Sequence, residues 1–315
     1  SYNLENEIVK TRNINMNTVQ EEELKIFNEF ISSNECIIKV NESHVETINN
    51  ILKRRKIEDR IDVEDLFILL NKPPLDIKLE LPILQTSANT GDKLRSIIEN
   101  YIWNTVKEGD ILYHFTNENI ARIIEETNTI RQYNILKRYD DGEIQDFFQY
   151  YGIKNFISEH YDDKFYTSFT RKIPNTLERI ETFSHFTGGK EKGARLTFHV
   201  NKTSNFFRYI DYKKDKLNIL IELRNTILYE HGMHFNISGL TTRLAAFYVN
   251  EKYSDEFEVR YYTHEKDKNK ILTDFKTNKF TFVEMYFDSA RKENKDSLLT
   301  LVDITYARDK PIFDV

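Results

Sequence analysis

The chain has 315 residues, enough for one large domain or two ordinary ones, and 39% of them are hydrophobic against 30% charged. With 22 Phe and 18 Tyr it can build a core, while nine Gly and five Pro are too few for a Gly-rich loop fold, so a disordered chain is excluded. A net charge of −6 argues against broad binding to nucleic acid, which needs a basic face to neutralise phosphates.

In chain order, Val19, Leu24, Phe27, Phe30 and Ile31 recur at helical spacing within residues 1–35. Cys36 to Val40 reads as a short strand. Cys36 is the only cysteine, so no internal disulfide and no thiolate metal centre can form, and it reads as an ordinary half-buried thiol. Ser43-His44-Val45-Glu46 fits a capping box, and the helix it starts carries Val45, Ile48, Ile51 and Leu52 on one face. Lys53-Arg54-Arg55-Lys56 is the most basic run, read as the solvated helix end where cations suit the dipole. Asp62–Asp65 is expected to open a second helix with Leu66, Leu69 and Leu70, stopped by Pro73-Pro74. Residues 72–91 hold three prolines and then Gln85-Thr86-Ser87-Ala88-Asn89-Thr90-Gly91, so a linker is placed there. This divides the chain into a mainly helical N-terminal domain, 1–91, and a second domain, 92–315.

The second domain opens on a helix expected from Asp92 to Lys107, with Gly109 ending it and Trp103 packing on it. Ile111-Leu112-Tyr113-His114-Phe115-Thr116 is strand-like. A helix follows from the N-cap Asn117, with Ile120, Ile123 and Ile124 expected to face the core. Further on come a helix near 143–151, a strand at Phe165–Thr170, and a helix with the stripe Leu177, Ile180, Phe183 and Phe186 stopped by Gly188-Gly189. Strands are expected at 193–200, 206–210, 257–262, 280–287 and 298–306, and helices at 217–229 and 240–249. The whole is α+β. No run approaches the roughly 18 apolar residues that cross a bilayer, Ser1-Tyr2-Asn3-Leu4 does not read as a signal peptide, and neither phosphate-cradling glycine loop occurs. The Asn-, Lys- and Ile-rich composition points to a bacterial coding sequence. His231-Gly232-Met233-His234 reads as a turn, and no metal cluster is expected.

Three strand-borne clusters carry chemistry. They are Tyr113-His114-Phe115-Thr116, then Phe165-Tyr166-Thr167-Ser168-Phe169-Thr170, then Tyr253-Ser254-Asp255-Glu256-Phe257-Glu258-Val259-Arg260. On a continuous strand Glu256, Glu258 and Arg260 would share one face, where the arginine could neutralise two repelling carboxylates. Taken singly, the first reads as a core histidine, the second as ordinary strand chemistry and the third as a solvated charged face. Taken together, their order resembles that of the ADP-ribosyltransferase fold. It also resembles a large bacterial domain family that opens with a Leu-Tyr-His-Tyr-Thr-like strand and closes on Phe-x-x-Glu-x-Glu-x-Arg. Phe169-Thr170 and Gly193 to Phe198 echo landmarks between them, over roughly residues 108–265.

That resemblance implies a split β-sheet with flanking helices, and NAD as substrate. Glu258 would hold the ribose and face the positive charge that develops as the nicotinamide bond breaks, and Glu256 would activate an acceptor. His114 would bind a ribose hydroxyl, the backbone at Phe115 or Thr116 the nicotinamide amide, Tyr166 would stack on the nicotinamide, and Ser168 would brace Glu258. The family's arginine-modifying members start with an arginine where this chain has His114, so the acceptor stays open. The implied roles are transfer of ADP-ribose to a macromolecule, a protein in preference to a nucleic acid, by a bacterial toxin, effector or phage-defence protein. It would act in the bacterial cytoplasm or after translocation into a host, with a regulatory or antitoxin partner compatible with it and no membrane. Two alternatives stand beside it: an NAD glycohydrolase or other nucleotide-processing defence enzyme, and a non-enzymatic nucleotide-sensing or interaction module.

Overall fold

The structure is a computed structural model, and it describes residues 37–38, 40–69, 81–87, 90–136, 143–151, 162–236, 243, 246–273, 281–289 and 297–314. The helix expected in residues 1–35, the environment of Cys36 and half of the helix expected at 240–249 lie outside them. Two compact units emerge, each assembled from separate stretches of chain: one from 1–102, 146–157 and 213–243, the other from 103–145, 158–212 and 244–315. The architecture is mixed α+β, with a curled sheet of eight strands in sequence along its path and several helices.

The first unit combines helices with a sheet. Strands β1 (Ile37–Ile38), β2 (Leu66–Leu69), β3 (Ile83–Thr86) and β9 (His234–Asn236) pair in the order β1-β2-β3-β9, the last pair parallel. The helix expected after Asp62 is therefore confined to a single 3₁₀ turn, Val63–Asp65, and Leu66 and Leu69 after it enter the sheet. Ile83–Thr86, inside the stretch read as a linker, is a fully buried strand. Short apolar runs of this length satisfy either period, and the pairing partner decides. Helix α1 (Glu42–Arg54) buries Val45, Ile48, Ile51 and Leu52 as expected. Its cap is Asn41, two residues before the serine expected to serve. Asn41 Oδ1 accepts from the backbone N–H groups of Ser43 and His44, and His44 Nδ1 accepts from that of Asn41. Within the basic run, Arg54 and Arg55 both bond Glu222, on the helix Lys214–His231. Helix α2 (Lys93–Ile102) closes the contiguous part of the unit.

The second unit is built on the larger sheet. Its strands are β4 (Ile111–Thr116), β5 (Thr129–Asn134), β6 (Lys164–Thr170), β7 (Ala194–Val200), β8 (Phe207–Tyr209), β10 (Glu258–His264), β11 (Leu272–Thr273), β12 (Thr281–Tyr286), β13 (Asp288–Ser289) and β14 (Leu299–Tyr306). The path runs β11-β12-β5-β6-β4-β7-β14-β13, and β10 pairs with both β6 and β8 off that path. The helix expected to reach Lys107 stops at Ile102 because the next residues join the sheet. Tyr209 N–H donates to Asn104 O at 2.9 Å and Val106 N–H to Phe207 O at 2.9 Å. Trp103 is buried against Phe247, as packing requires.

Helix α3 (Glu118–Thr127) starts where the sequence places it, with Asn117 Oδ1 accepting from Ile120 N–H at 2.8 Å. Its buried residues are Ala121 and Ile124, whereas Ile120 and Ile123 are exposed, so the core face is narrower than the isoleucine spacing suggests. Asn128 in the left-handed region ends it, and β5 follows, a strand the sequence reading omits. Helix α4 is Glu143–Tyr151. Helix α5 (Leu177–Thr187) caps on Thr176 and ends on Gly188. It buries Ile180 and Phe183 while leaving Leu177 and Phe186 exposed. The core of the unit is a sheet face holding Leu112, Phe169, Phe198, Phe207 and Val259, among others.

Gly193 sets the approach of β7 to its surroundings. Its φ is +90°, and a Cβ there would lie 2.5 Å from Thr187 Cβ and 2.6 Å from Thr116 O. Gly193→Ala is expected to destabilise the protein by about 2–4 kcal/mol, through the left-handed backbone and the clash with a main-chain oxygen. Urea unfolding checks this, and a loss below about 0.5 kcal/mol would mean that the backbone at 193 relaxes freely.

Candidate functional site

The three clusters meet on neighbouring strands of the second unit, with β6 in the middle. Along one edge, β6 pairs with β10 over its whole length, from Lys164↔His264 to Thr170↔Glu258. Its other edge is shared in succession by β5, at Tyr133↔Tyr166 and Asn134↔Phe165, and by β4, at the single pair Tyr113↔Thr170. Between those two contacts the β6 main chain faces a gap among the described residues. His114 fills it. Its Nδ1 lies 3.0 Å from Ser168 O, and a carbonyl can only accept, so Nδ1 carries the proton and the neutral ring leaves Nε2 as an acceptor. The ring edge rests on Phe169, 5.8 Å between centroids.

Alternation along the strands sorts the rest. Phe165, Thr167 and Phe169 are buried, while Tyr166 and Ser168 are half-buried on the opposite face. Glu258 and Arg260 are both buried, at 6% and 3% exposure, which rules out the solvated charged face. The Ser168 hydroxyl donates to Glu258 Oε1. Arg260 grips the same carboxylate twice, Nε to Oε1 and Nη2 to Oε2 at 3.0 Å. The remaining Nη1 of Arg260 donates to Ala246 O at 2.9 Å, and its guanidinium lies 4.9 Å from the Tyr166 ring centroid. Arg260 is thus the counter-ion of Glu258, held as bidentate pairs require. One residue, Ser168, touches both His114, through its carbonyl, and Glu258, through its hydroxyl.

Glu256 is placed differently from the sequence expectation. It ends the 3₁₀ turn Glu251–Glu256, and Phe257 at φ +45° breaks the strand alternation before Glu258. Glu256 and Glu258 therefore do not lie as residues i and i+2 of one strand. The turn is tied down from below. Thr170 Oγ1 donates to Glu256 O at 2.8 Å, and the buried Arg179 donates to the carbonyls of Asp255, Lys172 and Ile173. Phe115 stacks on Phe313 and meets Phe183 edge-on, and Thr116 is buried, so only the main chain there could meet a ligand.

Sequence reasoning missed Tyr212, whose hydroxyl accepts from Glu258 N–H at 2.9 Å. No periodicity marks it, since it lies in irregular chain after β8. Among the described residues no group of His, Cys, Asp and Glu could hold a metal, and no helix is long and apolar enough to cross a membrane.

As a binding site, the arrangement has spare capacity of the right kind. A carboxylate offers about four lone-pair positions, and three on Glu258 are taken, leaving one on Oε2 for a hydroxyl donor. His114 Nε2 is a second acceptor. The Tyr166 ring lies beside them on the same strand as Ser168, against the Arg260 guanidinium. No family model, no curated protein and no solved structure matches the chain.

Two outcomes are expected. Arg260→Met strands a buried carboxylate and should cost about 3–5 kcal/mol, much of it recovered in the Arg260→Met/Glu258→Gln pair, by urea unfolding. A single-variant loss under about 1 kcal/mol would contradict the burial described. The His114 pKa is lowered by burial, partly offset by the bond to Ser168 O. The folded state therefore holds this proton less tightly than the unfolded chain. Its stabilising contribution is complete above the ordinary imidazole value and is lost as pH falls through the folded value. An imidazole NMR titration should place His114 below an exposed histidine; a midpoint above it would contradict this.

Proposed function

We propose that the chain is an NAD-dependent ADP-ribosyltransferase of bacterial toxin, effector or defence type, acting on a macromolecule, a protein in preference to a nucleic acid. The observation that carries the reading is Ser168, which joins His114 on one side to Glu258 on the other. In this reading the β4–β6 gap belongs to a split sheet core and the ribose sits against it. Its hydroxyls meet the two unspent acceptors, His114 Nε2 and Glu258 Oε2. As the bond from ribose to nicotinamide breaks, its electron pair leaves with nicotinamide and positive charge develops on the sugar. A carboxylate fixed by Ser168 and Arg260 stabilises that charge without reorganising. Tyr166 would stack on the nicotinamide ring. An oxygen or nitrogen of the acceptor then bonds the sugar carbon and gives up a proton.

A second reading, NAD hydrolysis with water as acceptor, is favoured by one observation. Glu256 leaves the strand before Glu258, so an acceptor-activating carboxylate on the same strand face is missing.

The test is incubation with NAD labelled in its adenylate half, with cell extract present, for wild type, Glu258→Gln and His114→Ala. Label on a macromolecule that falls at least about 100-fold in Glu258→Gln is expected for transfer. Nicotinamide release without label transfer favours hydrolysis. Absence of turnover in every sample sinks both and leaves a sensing or interaction module. Because Glu258→Gln also removes the counter-ion of Arg260, the Glu258→Gln/Arg260→Met pair is run beside it, with thermal unfolding of each.

A further inference from the structure

We infer that Tyr212 is a substrate contact of this cleft, donating its phenolic proton to a hydroxyl oxygen of the bound sugar; the inference rests on the nucleotide reading above. The segment that carries Tyr212 is anchored to Glu258 from both sides of the peptide. Ile210 N–H donates to Glu258 O at 3.0 Å, and Glu258 N–H donates to the Tyr212 hydroxyl at 2.9 Å. The phenol oxygen is therefore fixed beside the main chain of the very residue whose carboxylate receives Ser168 and Arg260. Accepting that bond uses a lone pair and leaves the proton. Among the described residues the one hydrogen bond at this hydroxyl is the one it accepts from Glu258 N–H, and no bond that it donates is formed, not even to the open position on Glu258 Oε2. A half-buried hydroxyl with a donor to give, next to the Glu258 carboxylate and on the same strand pair as His114's partner Ser168, is placed to meet a hydroxyl of a sugar bound there.

The phenol also stays protonated. Burial raises its pKa first, the charge of Glu258 raises it further and Glu256 adds to this, against the Glu258 N–H bond and Arg260. The same surroundings select the kind of oxygen that suits it. Two carboxylates near the phenol repel a phosphate, whereas a neutral hydroxyl oxygen meets no such penalty. The vicinal hydroxyls of a ribose fit: one donates to Glu258 and its neighbour accepts from Tyr212.

The test is a cycle of protein and ligand changes, read as Kd by calorimetry on the full chain. NAD and its 2′-deoxy and 3′-deoxy nicotinamide-riboside forms are titrated into wild type and Tyr212→Phe. Tyr212→Phe is expected to weaken NAD binding about 3- to 10-fold. The penalty that wild type shows for one deoxy form should then nearly vanish in Tyr212→Phe, because the bond is already gone. A deoxy penalty unchanged in the variant makes Tyr212 a brace for Glu258 and overturns the inference while leaving the nucleotide reading intact. Wild type that binds none of the three overturns both. Should Tyr212→Phe fail to fold for want of an acceptor for Glu258 N–H, Tyr212→Gln supplies a side-chain carbonyl and takes its place in the cycle.

Discussion

A carboxylate and a guanidinium withdrawn from water within one strand are costly unless every bonding position is filled, and Glu258 with Arg260 meets that condition almost completely. Arg260 spends both remaining directions, on the carboxylate and on Ala246 O, and lays its plane near Tyr166. Ser168 supplies the neutral donor from the next strand. Because residues two apart on a strand share a face, the pair also fixes the phase of β10 against β6. A slip by one residue would put both charges into the apolar core around Phe169 and Val259.

The rest of the unit protects that arrangement. β6 has one edge fully paired with β10 and the other divided between β5 and β4, so part of its main chain meets a side chain in place of a strand. His114 closes that part, which binds its tautomer to the position of Ser168. Arg179 and Thr170 hold the turn before Glu258 through its carbonyls, and Phe257 in the left-handed region is kept there by that anchoring. The Arg171, Lys172 and Arg179 cations all lie within 5.5 Å of the Phe257 ring centroid, so the strained residue is clasped as well as tied. The result is a rigid carboxylate, a neutral imidazole with an open acceptor and a fixed phenol on adjoining strands and the segment beside them.

How much of this was legible follows from what each signal measures. The strands at 164–170 and 194–200 alternate, because one face of each is buried, and alternation reads that directly, whereas 111–116 and 299–306 were legible from their apolar and β-branched composition. Asn117 and Gly188 mark helix ends because caps are local chemistry. Leu66–Leu69 and Ile83–Thr86 were not legible as strands, since each is four residues long and defined by its partner. The early stop of α2 is likewise set by β8, far along the chain. At the site, the joint order of His114, Ser168 and Glu258 was visible, and Arg260 was visible as a neutraliser. The Glu256 position was not, because it turns on one backbone angle at Phe257. Tyr212 acts through a main-chain bond from irregular chain, which leaves no trace in composition or period.

The central claim is that His114, Ser168 and Glu258 form one nucleotide-binding cleft. A crystal structure with a non-cleavable carbocyclic analogue of NAD tests it most directly. The account predicts the nicotinamide-side sugar within hydrogen-bond distance of His114 Nε2 and Glu258 Oε2, with the Glu258–Arg260 pair intact. A nucleotide bound elsewhere on the chain, or a Glu258 carboxylate that stays closed to it at saturating ligand, would contradict it.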